Sequence, residues 1–194
     1  MSGNPKEAAE EVASSIERLF HWAAFADKFG GTVQETTLYG LTVAVNEPLG
    51  VIGITAPQRC PLLGLVSLMA PAIVRGNAVV VVPSQQGALA ATDLYQVLDT
   101  SDLPGGVINI VTGAPDVLSK SLAEHQDVDA VWYYGSAVGS YHVETLAANN
   151  MKRTLVNNGA EVDWSSMSER HSEVLLREST NVKNVWVPMG GCTL

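Results

Sequence analysis

Two cysteines, four histidines and the Gly135-Ser136 pair are the residues of this 194-residue chain best suited to chemistry. A thiolate attacks carbonyls and binds metals, but only where its surroundings lower its pKa. Cys192 falls in Gly190-Gly191-Cys192-Thr193-Leu194, where no shell of following residues can shape a pocket, and it reads as an exposed tail thiol. Cys60 lies between Arg59 and Pro61 and reads as a small core hydrophobe. His21, His125, His142 and His171 show no paired metal-ligand spacing, and the two cysteines form no CxxC, so no metal site is expected. There is no Walker loop and no GxGxxG. Gly135-Ser136 precedes a helical stretch, where backbone N–H groups could take an anion; the same pair is equally an ordinary N-cap.

The balance of charge narrows the partners. Acids outnumber bases 20 to 11, for a formal charge of −9, and Lys152-Arg153 is the only adjacent basic pair. Such a chain is a poor binder of phosphate backbones, so no nucleic-acid partner is expected, and Trp132-Tyr133-Tyr134 reads as core packing rather than a base-stacking platform. The Glu7, Glu10, Glu11 run reads as a solvated helix start. The longest apolar stretch, 62–74, is interrupted by Ser67 and Pro71 and is too short to span a bilayer. With no apolar leader and no disulfide framework, the expectation is a cytoplasmic protein without a membrane partner.

The elements that must position these residues follow from periodicity. Val12, Ile16, Leu19, Phe20 and Ala23 recur at helical spacing within 7–29, and Gly30-Gly31 stops the pattern. Two β-prone runs around Gly40, within 32–46, predict a hairpin. From Gly50 onward, short apolar runs (51–54, 78–82, 107–111, 130–133, 154–156) alternate with helical segments (61–75, 88–98, 117–124 and one from Ser136 to about 149). Ala78 to Val82, with four valines, suits a strand buried on both faces. Such alternation predicts parallel strands joined by right-handed crossovers. The tail differs: 164–180 reads as a polar helix and 182–187 as a lone strand that must find an edge in its own chain or another. The fold class is therefore α/β, a doubly wound parallel Rossmann-like sheet with an N-terminal helix, a protruding β-hairpin and a C-terminal strand. The expected parts are 1–46 (helix and hairpin), 47–160 (Rossmann-like unit) and 161–194 (polar helix and strand).

Asn46-Glu47-Pro48-Leu49-Gly50-Val51-Ile52-Gly53 resembles the start of the cofactor domain of the aldehyde dehydrogenase superfamily. The resemblance continues through Ala70-Pro71-Ala72 with Gly76-Asn77, through Leu103-Pro104 with Gly106 to Gly113, and through Gly135-Ser136; it extends back to Ala23–Lys28 with Gly31-Thr32. Leu176 to Val187 resembles the family's C-terminal strand, which in complete members lies beyond a catalytic domain that has no counterpart in this sequence. The arrangement most resembles the truncated second module of the two-module, family 16 type of aldehyde dehydrogenase.

That resemblance implies several losses. Arg59 stands where the family has its oxyanion asparagine, and Asn157 where it has the general-base glutamate; an amide cannot accept a proton near neutral pH, and Glu161 lies too far along the chain to substitute. Val82 and Gln85 stand where the family binds the adenosine ribose through lysine and glutamate, and Asp116 follows the third strand where an acid would repel a pyrophosphate. No catalytic residue is expected, and Gly135 with Ser136 is the one cofactor-binding element retained, as a vestige. No cofactor is therefore expected. The implied function is a non-catalytic association module that dimerises, or packs on a complete aldehyde dehydrogenase module of the same protein, by β-strand addition through 182–187 and the 36–45 hairpin. Two alternatives stay open: an NAD(P)-binding component whose nucleophile lies in another domain, and a nucleotide sensor without chemistry.

Overall fold

The computed structural model describes residues 4–37, 40–166 and 168–188. Five strands form the expected parallel sheet: β3 (Val51–Thr55), β4 (Ala78–Val82), β5 (Ile108–Ile110), β6 (Ala130–Tyr133) and β7 (Arg153–Val156), in the order β5-β4-β3-β6-β7. Helices α2 (Pro61–Val74), α3 (Ala88–Asp99), α4 (Pro115–Glu124) and α5 (Ala137–Ala147) are the crossovers. The strand order runs outward from β3 in one direction and from β6 in the other, so the switch point lies between these two strands. α2 packs against α3 on one face of the sheet, and α4 packs against α5 on the other. The central strands are covered on both sides, as their unbroken apolar runs require: Ile52, Ile54, Val79, Val81, Val131 and Trp132 are all buried. Gly53 admits the close approach of α4, since a Cβ there would lie 3.2 Å from the Leu122 side chain.

The N-terminal helix α1 (Pro5–Ala23) begins with Asn4, whose Oδ1 accepts from the Lys6 N–H, and Pro5 follows at the first helical position. It ends well before Gly30. Trp22 is buried, its ring packs against His21 and Phe25, and the chain then turns off the axis. Arg75 holds the departing segment, with its guanidinium 4.9 Å above the Phe29 ring and an N–H donated to the Phe29 carbonyl at 3.0 Å.

A second sheet, in the order β1-β2-β8, is antiparallel and comes from both ends of the chain: β1 (Thr32–Gln34), β2 (Gly40–Pro48) and β8 (Thr180–Pro188). The lone C-terminal strand finds its edge in its own chain. β2 and β8 pair in continuous register from Gly40 with Pro188 to Pro48 with Thr180. The hairpin and the tail strand, both expected to seek another sheet, thus satisfy each other first. The first strand lies at Thr32–Gln34 and not in the run 36–39, of which Leu38 and Tyr39 fall outside the described residues; Gly40, expected in the turn, is the first residue of β2, which runs past Asn46 to Pro48.

One amide ties the two sheets. Asn77 is buried just after Gly76, whose φ of +86° ends α2. Its Oδ1 accepts from the Leu49 and Gly50 N–H groups at 2.7 and 3.0 Å, and its Nδ2 donates to the carbonyls of Ala72 and Ser179 at 2.9 and 2.8 Å. Thr180 beside it receives two guanidinium groups: Arg75 donates to its hydroxyl at 2.9 Å and Arg153 to its carbonyl at 2.7 Å. The polar helix α6 (Glu169–Glu178) docks on α2 through buried Leu175 and Leu176. His171 on α6 packs against Trp164 and Tyr134 with ring centroids 5.9 and 6.4 Å away. Its Nε2 is buried without a hydrogen-bond partner among the described residues. Burial first, and Arg18 of α1 second, push this imidazole below its ordinary pKa.

Two outcomes are expected. Asn77→Leu removes four hydrogen bonds and strands buried backbone groups, so chemical denaturation should show a loss of about 3 kcal/mol. His171 is neutral in the fold and titrates at about pH 6.5 when unfolded. The unfolded chain therefore binds more protons in the window between its lowered folded pKa and about 6.5, and stability falls as pH drops through that window. Thermal melts of wild type and His171→Phe between pH 7.5 and 5.5 should diverge, the variant losing less on acidification.

Candidate functional site

Open parallel sheets bind ligands outside the carboxyl ends of their strands, where the strand order reverses. In this fold that place is a cavity of about 250 Å³ whose walls include Pro57 and Arg59 after β3, Tyr134 to Ser136 after β6, and Asn157 and Glu161 after β7. The structure thus brings Gly135 and Ser136 together with Arg59, Asn157 and Glu161.

Each of these residues has a defined partner. Ser136 caps α5, its Oγ accepting from the Gly139 N–H at 3.0 Å. The Gly135 N–H is already given to Asn157 Oδ1 at 3.0 Å, while Asn157 Nδ2 donates to the Ala160 carbonyl at 2.9 Å. Asn157 therefore ties the end of β7 to the start of α5. Arg59 reaches across to Glu161, with N···O 3.0 Å, and both side chains are exposed. Tyr134 is buried, which raises its hydroxyl pKa and keeps it a neutral phenol.

The first turn of α5 is exposed at Ser136, Ala137 and Val138. Its entry is shaped by a pair of glycines, one of them not anticipated. A Cβ at Gly135 or at Gly139 would strike the hydroxyl end of the buried Tyr133 ring. The four-residue spacing of these glycines was the available signal for Gly139. The backbone consequently comes close to the strand tip and leaves the positive end of the helix facing the cavity rim.

The remaining positions separate. Cys60 precedes α2 with φ +51° and makes no side-chain cap. Burial first and Glu11 second raise its thiol pKa, which disfavours the thiolate that nucleophilic attack needs. The α2 start is capped instead by Glu11 of α1, whose Oε1 accepts from the Leu62 and Leu63 N–H groups at 2.8 and 3.1 Å. One member of the Glu7, Glu10, Glu11 run is thus a tertiary cap and not merely solvated. Val82 is buried, Gln85 is exposed, and Asp116 sits exposed in the first turn of α4. Cys192 lies outside the described residues. No group of three or more His, Cys, Asp or Glu among the described residues could hold a metal ion, and no helix among them is long and apolar enough to cross a membrane.

An exposed, glycine-built helix start at the switch point fits the anionic part of a dinucleotide; with the Gly135 N–H given to Asn157, Ser136 and the first-turn N–H groups of α5 are what would hold it. The ribose contacts implied at Val82 and Gln85 are not provided by charged groups.

Comparison with known proteins bears on the same question. The profile of the Aldehyde dehydrogenase family matches residues 1–164. The NADP/NAD-dependent aldehyde dehydrogenase PuuC of Escherichia coli is 35% identical over 163 residues, covering 82% of this chain and 33% of that protein. The mitochondrial aldehyde dehydrogenase of Leishmania tarentolae is 34% identical over 163 residues, with the same shares. Betaine aldehyde dehydrogenase from Staphylococcus aureus, solved in complex with NAD+, superposes with a TM-score of 0.74 at 26% identity over 78% of this chain and 30% of that one. The chain spans about a third of the length of these relatives. The NADP/NAD dependence of PuuC and the NAD+ complex of the betaine aldehyde dehydrogenase overturn the expectation that no cofactor is bound, in which the lost ribose contacts at Val82 and Gln85 were given too much weight.

Proposed function

The chain belongs to the aldehyde dehydrogenase family, and on that premise we propose that it is a cytoplasmic association module which carries an NAD(P) site and supplies no nucleophile from its described residues. The reading is supported at two places. At the switch point, Ser136 and the first turn of α5, which Gly135 and Gly139 bring close to the strand tip, would hold the anionic part of the cofactor. A nicotinamide, when bound, supplies hydride transfer; the thiol that attacks an aldehyde is assigned to another module, since Cys60 is held as a poor thiolate.

The observation that carries association is the outer edge of β8. Among the described residues this nine-residue strand pairs with β2 on one side only. The outward face it shares with β1 and β2 is aliphatic: Val185 and Val187 stand opposite Val43 and Leu41, with Val33 beyond Val43. Val33 is 70% exposed and Trp186, on the other face, 52%. Lys183 is the only charged side chain on β8, and it pairs with Glu47 at 3.0 Å. A long, exposed edge with so little charge is what strand addition uses. The partner is a second copy of this chain or the sheet of a complete aldehyde dehydrogenase module.

Light scattering at micromolar concentration should give twice the chain mass. Val185→Lys places a charge on the joining face and should weaken the dimer by at least about tenfold while leaving circular dichroism unchanged. A wild-type monomer would count against the reading. Calorimetry should show saturable binding of NAD+ or NADP+; absence of heat with both at millimolar concentration would remove the nucleotide half.

A further inference from the structure

Two prolines fix which backbone groups the outer edge of β8 offers. In the β2–β8 ladder Pro48 stands opposite Thr180, and Pro188 opposite Gly40. Neither proline has an N–H, so these two pairs are not of the kind that exchanges hydrogen bonds. Bonded and non-bonded pairs alternate along an antiparallel ladder. The bonds to β2 therefore come from Asn181, Lys183, Val185 and Val187, and the N–H and C=O groups of Val182, Asn184 and Trp186 point away from it. The Thr180 carbonyl points the same way and is already taken, by an N–H of Arg153 at 2.7 Å. At the other end of the strand, Pro188 offers an outward carbonyl and no donor. The edge thus begins with an acceptor that is satisfied and ends with a residue that has no N–H to give.

We infer that β8 pairs antiparallel with β8 of a second copy, Thr180 of each opposite Pro188 of the other, with Asn184 on the twofold axis. The pairing rests on the association reading above and narrows it to one partner and one register. In this register the missing Pro188 donor meets the one carbonyl that needs none. Val182 exchanges two bonds with Trp186 of the second copy, as the two Asn184 residues do with each other. Centring the pair on Lys183 instead would set two ammonium groups directly opposite, which is destabilising, and would bring the Trp186 N–H against the carbonyl that Arg153 holds. Centring it on Val185 would set Pro188 opposite Val182 and leave the Val182 carbonyl without a donor. With Asn184 at the centre, Lys183 lies opposite Val185 and keeps its own partner, Glu47. The side chains fit the same register. Val182, Asn184 and Trp186 share one face of the sheet, and on that face a cavity of about 890 Å³ is lined by Val182, Asn184, Arg153 and Arg177 but not by Trp186. The pairing sets Trp186 of the second copy beside Val182, with Cβ atoms about 5 Å apart. Each copy's exposed indole then covers the edge of the other's cavity.

The test is disulfide trapping of the full chain, with the tail thiol removed by Cys192→Ser. Directly opposite Cα atoms of a bonded pair lie about 5.5 Å apart, within the ~4.4–6.8 Å span of a disulfide. Under copper–phenanthroline oxidation, Asn184→Cys should give a species of twice the chain mass on a non-reducing gel. It should form at least about tenfold faster than with Lys183→Cys or Val185→Cys, which mark the two neighbouring registers. Trp186→Ala, without the trap, should weaken the dimer by about tenfold or more in light scattering across a dilution series. All four positions are exposed, and matching unfolding curves verify that the variants fold. A dimer in which Lys183→Cys or Val185→Cys cross-links as fast as Asn184→Cys, or whose affinity Trp186→Ala leaves unchanged, overturns this inference and leaves the association reading standing. A wild-type monomer removes that reading, and this pairing with it.

Discussion

The buried side chain of Asn77 is the constraint on which the architecture turns. Its amide has two donors and two acceptor positions, and all four are used. The partners belong to three separate places: the turn from β2 into β3, the last turn of α2, and the junction of α6 with β8. β2 and β8 both leave from this node, one ending and the other starting beside it, so the amide also sets the register in which Pro48 meets Thr180. In a low-dielectric interior such a fully satisfied group is strong, and the same group unpaired would be costly. The antiparallel sheet has few buried contacts of its own, since β8 is exposed along all but its first residue. Its placement rests on this node and on the arginines that converge at Thr180.

A second theme is how helix starts are used. The positive end of α2 is occupied by the Glu11 carboxylate, which also brings α1 onto the body of the domain together with Arg18, whose guanidinium donates to Ser67 Oγ and to the Trp164 carbonyl. The positive end of α5 carries only its local Ser136 cap and faces the crevice. The sequence thus spends one helix terminus on internal cohesion and leaves another open at the crevice. The thiol beside α2 is affected as well: burial first, and the acid that caps the helix second, raise its pKa at a helix start that would ordinarily favour a thiolate.

The parallel sheet was legible because its strands are continuous apolar runs punctuated by glycine, and such runs have one reading when helices separate them. Gly76-Asn77 was visible as a helix stop, but the role of Asn77 was not, because its four partners are scattered over 130 positions of sequence. Glu11 looked solvated for the same reason: its partners, at Leu62 and Leu63, are on another helix. The early end of α1 was hidden because periodicity continues to Phe25, while the turn is imposed by Trp22 and by Arg75 on Phe29. At the crevice, comparison of residue identities drew attention to Arg59 and Asn157. It did not show that one spans the cavity to Glu161 or that the other ties β7 to α5, since those roles exist only once the strand tips are side by side. The terminal strand was recognised as needing an edge, and the geometry chose the nearest one, within its own chain.

The two margins of the antiparallel sheet are unequal. At one side stands a three-residue strand, Thr32–Gln34, and at the other a nine-residue one, Thr180–Pro188. A three-residue margin offers too few backbone groups to template another chain, so growth of the sheet is confined to the long side. Two copies meeting long side to long side, related by a twofold axis, would present only their short margins outward, and polymerisation would terminate there. In the proposed pair, the difference in strand length would act as a stopping rule, favouring closure over a fibre without any dedicated blocking residue.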